Sequence, residues 1–235
     1  MATNTIDGHF VALTAPDTFA AERYQGLRIK LEQMRQLHDK RVIAITSPGA
    51  GDGKTLTSVN LAASLASQSN VRILLIDADL RRSTVGEKFG IPAGTEGLAD
   101  LIAGSTKRTF ATLVQRPEPC RFDVLPAGSS SVSVSELFRS PRLTEILAEA
   151  RDRYDFVLLD TPPLLPVFDA AVLARAVDGV VMVVAADRTP RKMLAAALDL
   201  LDPSSVVGMV FNADNSPLFR YNNRAYRGYY TSRHA

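Results

Sequence analysis

Six short stretches of the chain, 42–46, 72–77, 122–126, 156–160, 180–186 and 206–211, are apolar almost without a break. Continuous apolar runs of this length suit strands buried on both faces of a parallel sheet, whereas a half-exposed strand would alternate. The segments between them carry a different period. Residues 19–38 place Tyr24, Leu27, Leu31 and Met34 at helical spacing among charges. Segments 53–68, 135–153 (broken at Pro141), 170–177 and 190–201 also read as helices, and 83–104 holds shorter pieces cut by Gly90, Pro92, Gly94 and Gly97. Strands alternating with helices predict an α/β fold: a mostly parallel sheet with helices on both faces. Residues 1–18 are expected to form a loose arm, 19–213 the folded domain and 214–235 a turn-rich tail.

The first strand runs into Ser47-Pro48-Gly49-Ala50-Gly51-Asp52-Gly53-Lys54-Thr55, and a helix follows at once. Strand, glycine-rich loop and helix form the setting of a P-loop, which narrows the fold class to a P-loop NTPase. Glycines let backbone N–H groups converge on phosphate, and the helix N-terminus adds positive potential. In this reading Gly49, Ala50, Gly51, Asp52, Gly53, Lys54, Thr55 and Leu56 bind ATP. Lys54 reaches the β- and γ-phosphates, and the Thr55 hydroxyl holds Mg²⁺. The strict spacing places a glycine where Pro48 stands; here Gly49 comes one position late.

Two of the apolar runs end in aspartate. One reads Ile73-Leu74-Leu75-Ile76-Asp77-Ala78-Asp79-Leu80-Arg81, the other Phe156-Val157-Leu158-Leu159-Asp160-Thr161-Pro162-Pro163. In an open parallel sheet, ligands sit beyond the carboxyl ends of the strands, where the glycine loop also lies. Asp77 and Asp160 are therefore candidate Mg²⁺ ligands, directly or through water. Either carboxylate would be costly to bury without a partner. Asp79 falls on the same side as Asp77 if the chain stays extended, and could take the proton of an attacking hydroxyl.

Asp77-x-Asp79-x-Arg81 after Leu74-Leu75-Ile76 resembles the second Walker-type motif of the bacterial tyrosine kinases, the P-loop autokinases of capsule and exopolysaccharide export. Leu158-Leu159-Asp160-Thr161-Pro162-Pro163 is similar to their Walker B motif. Residues 46–54 resemble their Walker A motif, with Ala50 where the family often has proline. Similar elements recur at Gly97-Leu98 with Leu101, Pro126-Ala127-Gly128, Glu136-Leu137, Tyr154-Asp155 and Val177-Asp178.

The resemblance implies ATP- and Mg²⁺-dependent phosphorylation of tyrosine, chiefly on the enzyme's own C-terminal tail. It also implies a membrane chain-length protein as activator, recruitment to the inner face of the membrane, and control of polysaccharide chain length or export. Family members contact their neighbours in a ring through Glu-x-x-Arg-x-x-Arg on an early helix. Glu22 and Arg28 match the outer positions and Gln25 replaces the middle arginine. Self-association as a ring or dimer is expected through Glu22 and Arg28, without the charge-assisted bond an arginine would add. Asn212, closing the last strand, matches an asparagine that contacts the nucleotide base. The alternative is a nucleotide-switch ATPase of the septum-positioning or plasmid-partition type, acting by partner recruitment. Those proteins carry an extra lysine where this chain has Gly49.

Composition adds the acceptor. Tyr221, Tyr226, Tyr229 and Tyr230 are four of the six tyrosines, and they alternate with Arg, Asn and Gly rather than with apolar residues. A core segment would not look like this, so they are candidate autophosphorylation sites. Net charge is +2, which argues for no nucleic-acid partner. Cys120 is the sole cysteine, so no intrachain disulfide can form and a reducing compartment fits. The run 180–186 is far too short to span a bilayer. No direct membrane insertion and a cytoplasmic location are expected.

Overall fold

The computed structural model describes residues 7–165 and 167–213. Its elements follow the chain as α1 (Val11–Thr14), α2 (Phe19–His38), β1 (Val42–Thr46), α3 (Lys54–Ala66), β2 (Ile73–Asp77), α4 (Val85–Lys88), α5 (Leu98–Ala103) and α6 (Phe110–Leu113). Then come β3 (Asp123–Leu125), α7 (Val134–Leu137), α8 (Pro141–Arg153), β4 (Phe156–Asp160), α9 (Asp169–Ala174), β5 (Gly179–Ala185), α10 (Arg191–Leu198) and β6 (Val206–Asn212).

The six strands form one sheet in the order β3-β2-β4-β1-β5-β6, and every ladder is parallel. Parallel neighbours need a crossover between them, and helices supply it. Every residue of β1, β2, β4 and β5 is buried, which is why these strands are apolar throughout. Side chains alternate across the sheet. Ile43, Ile45, Ile73, Leu75 and Leu158 pack with Leu31 of α2 and with Val59, Leu61 and Leu65 of α3. On the opposite face Val42, Leu74, Ile76, Val157 and Leu159 meet α5, α8 and Leu173 of α9. Ala44, Val180 and Met182 meet Ala197 of α10. The break expected at Pro141 is a helix start: Pro141 opens α8, and the Ser140 side chain accepts from Arg142 N–H.

The loose arm is corrected for residues 7–18. Phe10 is 1% exposed and stacks on Phe89 with ring centroids 6.0 Å apart. Ala12 N–H donates to Asn60 Oδ1 of α3 at 2.9 Å. A four-residue helix is too short to show a period, so this packing had no signal in the apolar pattern.

The topology places the chemistry. β4 lies between β1 and β2, with Asp77 directly across from Asp160. Thr161 N–H donates to Ile45 O at 3.1 Å and Leu164 N–H to Ser47 O at 2.9 Å. These bonds tie the end of β4 to the loop that follows β1.

Candidate active site

The glycine-rich loop leaves β1 at Ser47, which is fully buried and donates its hydroxyl to Gly49 O at 2.6 Å. Gly53 closes the loop as the N-cap of α3 with φ 95°, a left-handed conformation that only glycine takes without strain. A Cβ built on Gly53 would stand 1.8 Å from Asn212 Nδ2. Asn212, expected to contact the nucleotide base, stands at the end of β6 and donates that amide to Asp52 O at 3.0 Å.

Lys54 and Thr55 open α3 beside the two acidic strand ends. Lys54 Nζ donates to Asp79 Oδ2 at 3.0 Å. Thr55 Oγ1 donates to Asp160 Oδ2 at 2.6 Å, and Ser58, one turn on, donates to Asp160 Oδ1 at 3.0 Å. The Thr55 hydroxyl also lies 3.3 Å from that of Thr84. Asp77 accepts the N–H groups of Thr84 and Val85 on one oxygen, at 3.1 and 3.0 Å, and that of Asp79 on the other at 3.3 Å. Asp79 Oδ1 accepts from Arg82 N–H at 3.0 Å. The structure thus brings Lys54, Thr55, Asp77, Asp79 and Asp160 into one cluster at the carboxyl edge of the sheet.

The electrostatics of the cluster are uneven. Asp77 and Asp160 are both fully buried. Burial first, and then the charge of Asp160, push the Asp77 carboxyl up to about 7. Burial also raises Asp160, against the opposing pull of the Lys54 charge and the Thr55 and Ser58 hydroxyls. Two adjacent buried carboxylates beside a hydroxyl form an oxygen donor set with excess negative charge, the kind a hard divalent cation such as Mg²⁺ neutralises. Thr55, Asp77 and Asp160 fit that role.

Several contributors carried no clear sequence signal. Asp169 at the start of α9 holds Arg81 at 2.5 Å to Nε and accepts from the Ser135 hydroxyl at 3.3 Å. It fixes the segment after β2. The Asp52 carboxylate is 7% exposed and accepts from Gly49 N–H at 3.1 Å and from the Thr189 hydroxyl at 2.8 Å. One loop amide is therefore turned to a side chain of its own loop. Leu56 and Ala50 lie in the same loop-and-helix turn. Glu22 and Arg28 stand apart from the cluster on α2, where Arg28 donates to Ser67 Oγ at 3.2 Å and lies 3.6 Å from Glu32. Tyr221, Tyr226, Tyr229 and Tyr230 lie outside the described residues.

The chain has relatives among known proteins. Residues 40–197 match the family described as AAA domain. The tyrosine-protein kinase YwqD of Bacillus subtilis is 34% identical over 204 residues, covering 86% of this chain and 84% of YwqD. The chain belongs to the bacterial protein-tyrosine kinase family. The putative tyrosine-protein kinase EpsB of Ralstonia nicotianae is also 34% identical, over 91% of this chain, but the chain spans only 28% of EpsB's length. Among solved structures, the kinase domain of the Escherichia coli tyrosine kinase ETK superposes with a TM-score of 0.79 at 30% identity, covering 88% of this chain and 82% of that one. The expected P-loop NTPase fold holds, with the six described strands all parallel to their neighbours. Among the described residues, no helix is long and apolar enough to cross a membrane.

Proposed function

We propose that this chain is an ATP-dependent protein-tyrosine kinase that phosphorylates tyrosines of its own C-terminal tail and regulates exopolysaccharide or capsule chain length or export. The observation that carries the reading is the pairing of Lys54 with Asp79 beside the Thr55–Asp160–Asp77 cluster. A cation for phosphate, a carboxylate for a proton and oxygen ligands for a metal meet at one sheet edge, in a chain whose relatives are named tyrosine-protein kinases.

Phosphoryl transfer needs positioning and charge neutralisation more than covalent chemistry. The loop amides and Lys54 hold the β- and γ-phosphates. Thr55, Asp77 and Asp160 would hold Mg²⁺, which when bound would draw charge from the phosphate oxygens. Asp79, 3.0 Å from Lys54 Nζ, takes the proton of the tyrosine hydroxyl. The tyrosine oxygen bonds to the γ-phosphorus, the bond to the bridging oxygen breaks, and ADP leaves with that electron pair.

The acceptors are Tyr221, Tyr226, Tyr229 and Tyr230, in a segment that also carries Arg220, Arg224, Arg227 and Arg233. Each phosphate adds about −1.5 to −2 charge, so three outweigh the four arginines, and a basic tail drawn to the acidic edge becomes one that leaves it. A membrane chain-length protein supplies activation and location. Self-association through Glu22 and Arg28 presents one subunit's tail to its neighbour.

Labelled ATP and Mg²⁺, with the cytoplasmic end of the membrane partner added, test this reading. The wild-type chain takes up label and the variant with all four tail tyrosines changed to phenylalanine does not. Undiminished label in that variant would place the acceptor elsewhere.

A further inference from the structure

The glycine loop is held from outside by residues that arrive more than 130 positions later in the chain. Arg188 Nη2 donates to Gly51 O at 3.1 Å, and Asn212 Nδ2 donates to Asp52 O at 3.0 Å. Both peptide units are trans. In a trans peptide the N–H points opposite to the carbonyl. With the carbonyls of Gly51 and Asp52 captured by Arg188 and Asn212, the N–H groups of Asp52 and Gly53 each point away from the side chain that holds their peptide unit. Among the described residues neither N–H donates to a protein acceptor. Successive backbone N–H groups left unpaired in a glycine-rich turn are the elements of an anion-binding concavity.

The Asp52 side chain completes the brace. A buried carboxylate inside a loop that receives a polyanion looks misplaced, and among the described residues it forms no ion pair. Its oxygens instead join two parts of the structure. Oδ2 accepts from Gly49 N–H, at the loop's entry, and Oδ1 accepts from the Thr189 hydroxyl. Thr189 Oγ1 in turn accepts from Ala185 N–H, the last residue of β5, at 3.1 Å. The intervening Asp187 sits at φ 58°, a left-handed turn that aspartate tolerates. Arg188 and Thr189 follow it directly. The carboxylate is thus a strut between the glycine loop and the loop that follows β5.

We propose that Arg188 and Thr189 are positioning residues for the nucleotide phosphates, acting through the glycine loop without touching the substrate. The proposal rests on the reading of this loop as a nucleotide site. Arg188 sets the direction of one loop amide, and Thr189 sets the loop's span through Asp52. The effect is on binding of ground state and transition state alike, so KM rises while kcat holds.

The test compares wild type with Thr189→Val, Thr189→Ser and Arg188→Ala, using Mg²⁺ with a fluorescent ADP analogue for Kd, and turnover for KM and kcat. Thr189→Val, which keeps the shape and loses the hydroxyl with its part-buried bond to Asp52, weakens ADP about tenfold. Thr189→Ser restores binding to within about twofold. Arg188 is exposed, so its replacement leaves the fold intact, and Arg188→Ala weakens ADP several-fold at low and high salt alike. A merely electrostatic role would fade with salt. If wild type binds ADP and both Thr189→Val and Arg188→Ala bind it equally well, the positioning role is overturned and the nucleotide site stands. If wild type binds no ADP, both fall together.

Discussion

Lys54 Nζ lies 3.0 Å from Asp79 Oδ2, so the cation expected on phosphate and the carboxylate expected to take a proton hold each other. Both are largely buried, the carboxylate at 4% exposure. The two partners therefore fail differently when removed. Lys54→Met takes away the phosphate's cation and leaves the Asp79 carboxylate with the Arg82 N–H as its one donor among the described residues. It lowers nucleotide affinity on the order of a hundredfold or more and stability by roughly 1–3 kcal/mol. Asp79→Asn keeps the shape, holds Kd for ADP within about threefold, and lowers kcat by about 10²–10⁴. Equilibrium binding and single-turnover kinetics on the two variants separate these outcomes.

Gly53 has no tolerated substitute. Gly53→Ala must keep φ 95° while placing a methyl against Asn212 Nδ2. The left-handed conformation alone costs about 1 kcal/mol, and the clash displaces the loop. Nucleotide binding is lost, as calorimetry would report. Adding Asn212→Ala clears the space without relieving the backbone, so the double variant regains only part of the affinity.

Asp77 makes the protein's stability depend on both pH and metal. Its folded value near 7 lies above the ordinary carboxylate value of 3.8. The folded state therefore binds the proton more tightly, and the contribution of this group is greatest below about 4 and is lost as pH rises to about 7. In chelator, the melting temperature falls between pH 5 and 8, and Asp77→Asn flattens that slope and melts higher than wild type at pH 8. Mg²⁺ with ADP raises the wild-type melting temperature at pH 8 and does so much less in Asp77→Asn. Parallel pH slopes in the two proteins would contradict the assignment.

The central strands were legible because burial on both faces forces them to be apolar throughout. For the same reason the polar residue ending each of two runs stood out as Asp77 and Asp160. The glycine spacing located the loop, whereas Pro141 read as a break within one helix and instead opens α8. What stayed hidden were partners that meet only through topology. Asp169 reaches Arg81 from 88 positions away, and Thr189 reaches Asp52 from 137. Thr84 and Val85 hold Asp77 with backbone N–H groups, which any residue could supply. Phe10 and α6 belong to segments too short to show a period.

The most direct measurement is phosphopeptide mass spectrometry of the chain incubated with ATP, Mg²⁺ and the cytoplasmic end of its membrane partner. The account predicts phosphotyrosine at Tyr221, Tyr226, Tyr229 or Tyr230 in wild type, and none in Lys54→Met or Asp79→Asn. Equal phosphotyrosine in wild type and Lys54→Met, or ADP release by wild type with no phosphotyrosine at all, would contradict it.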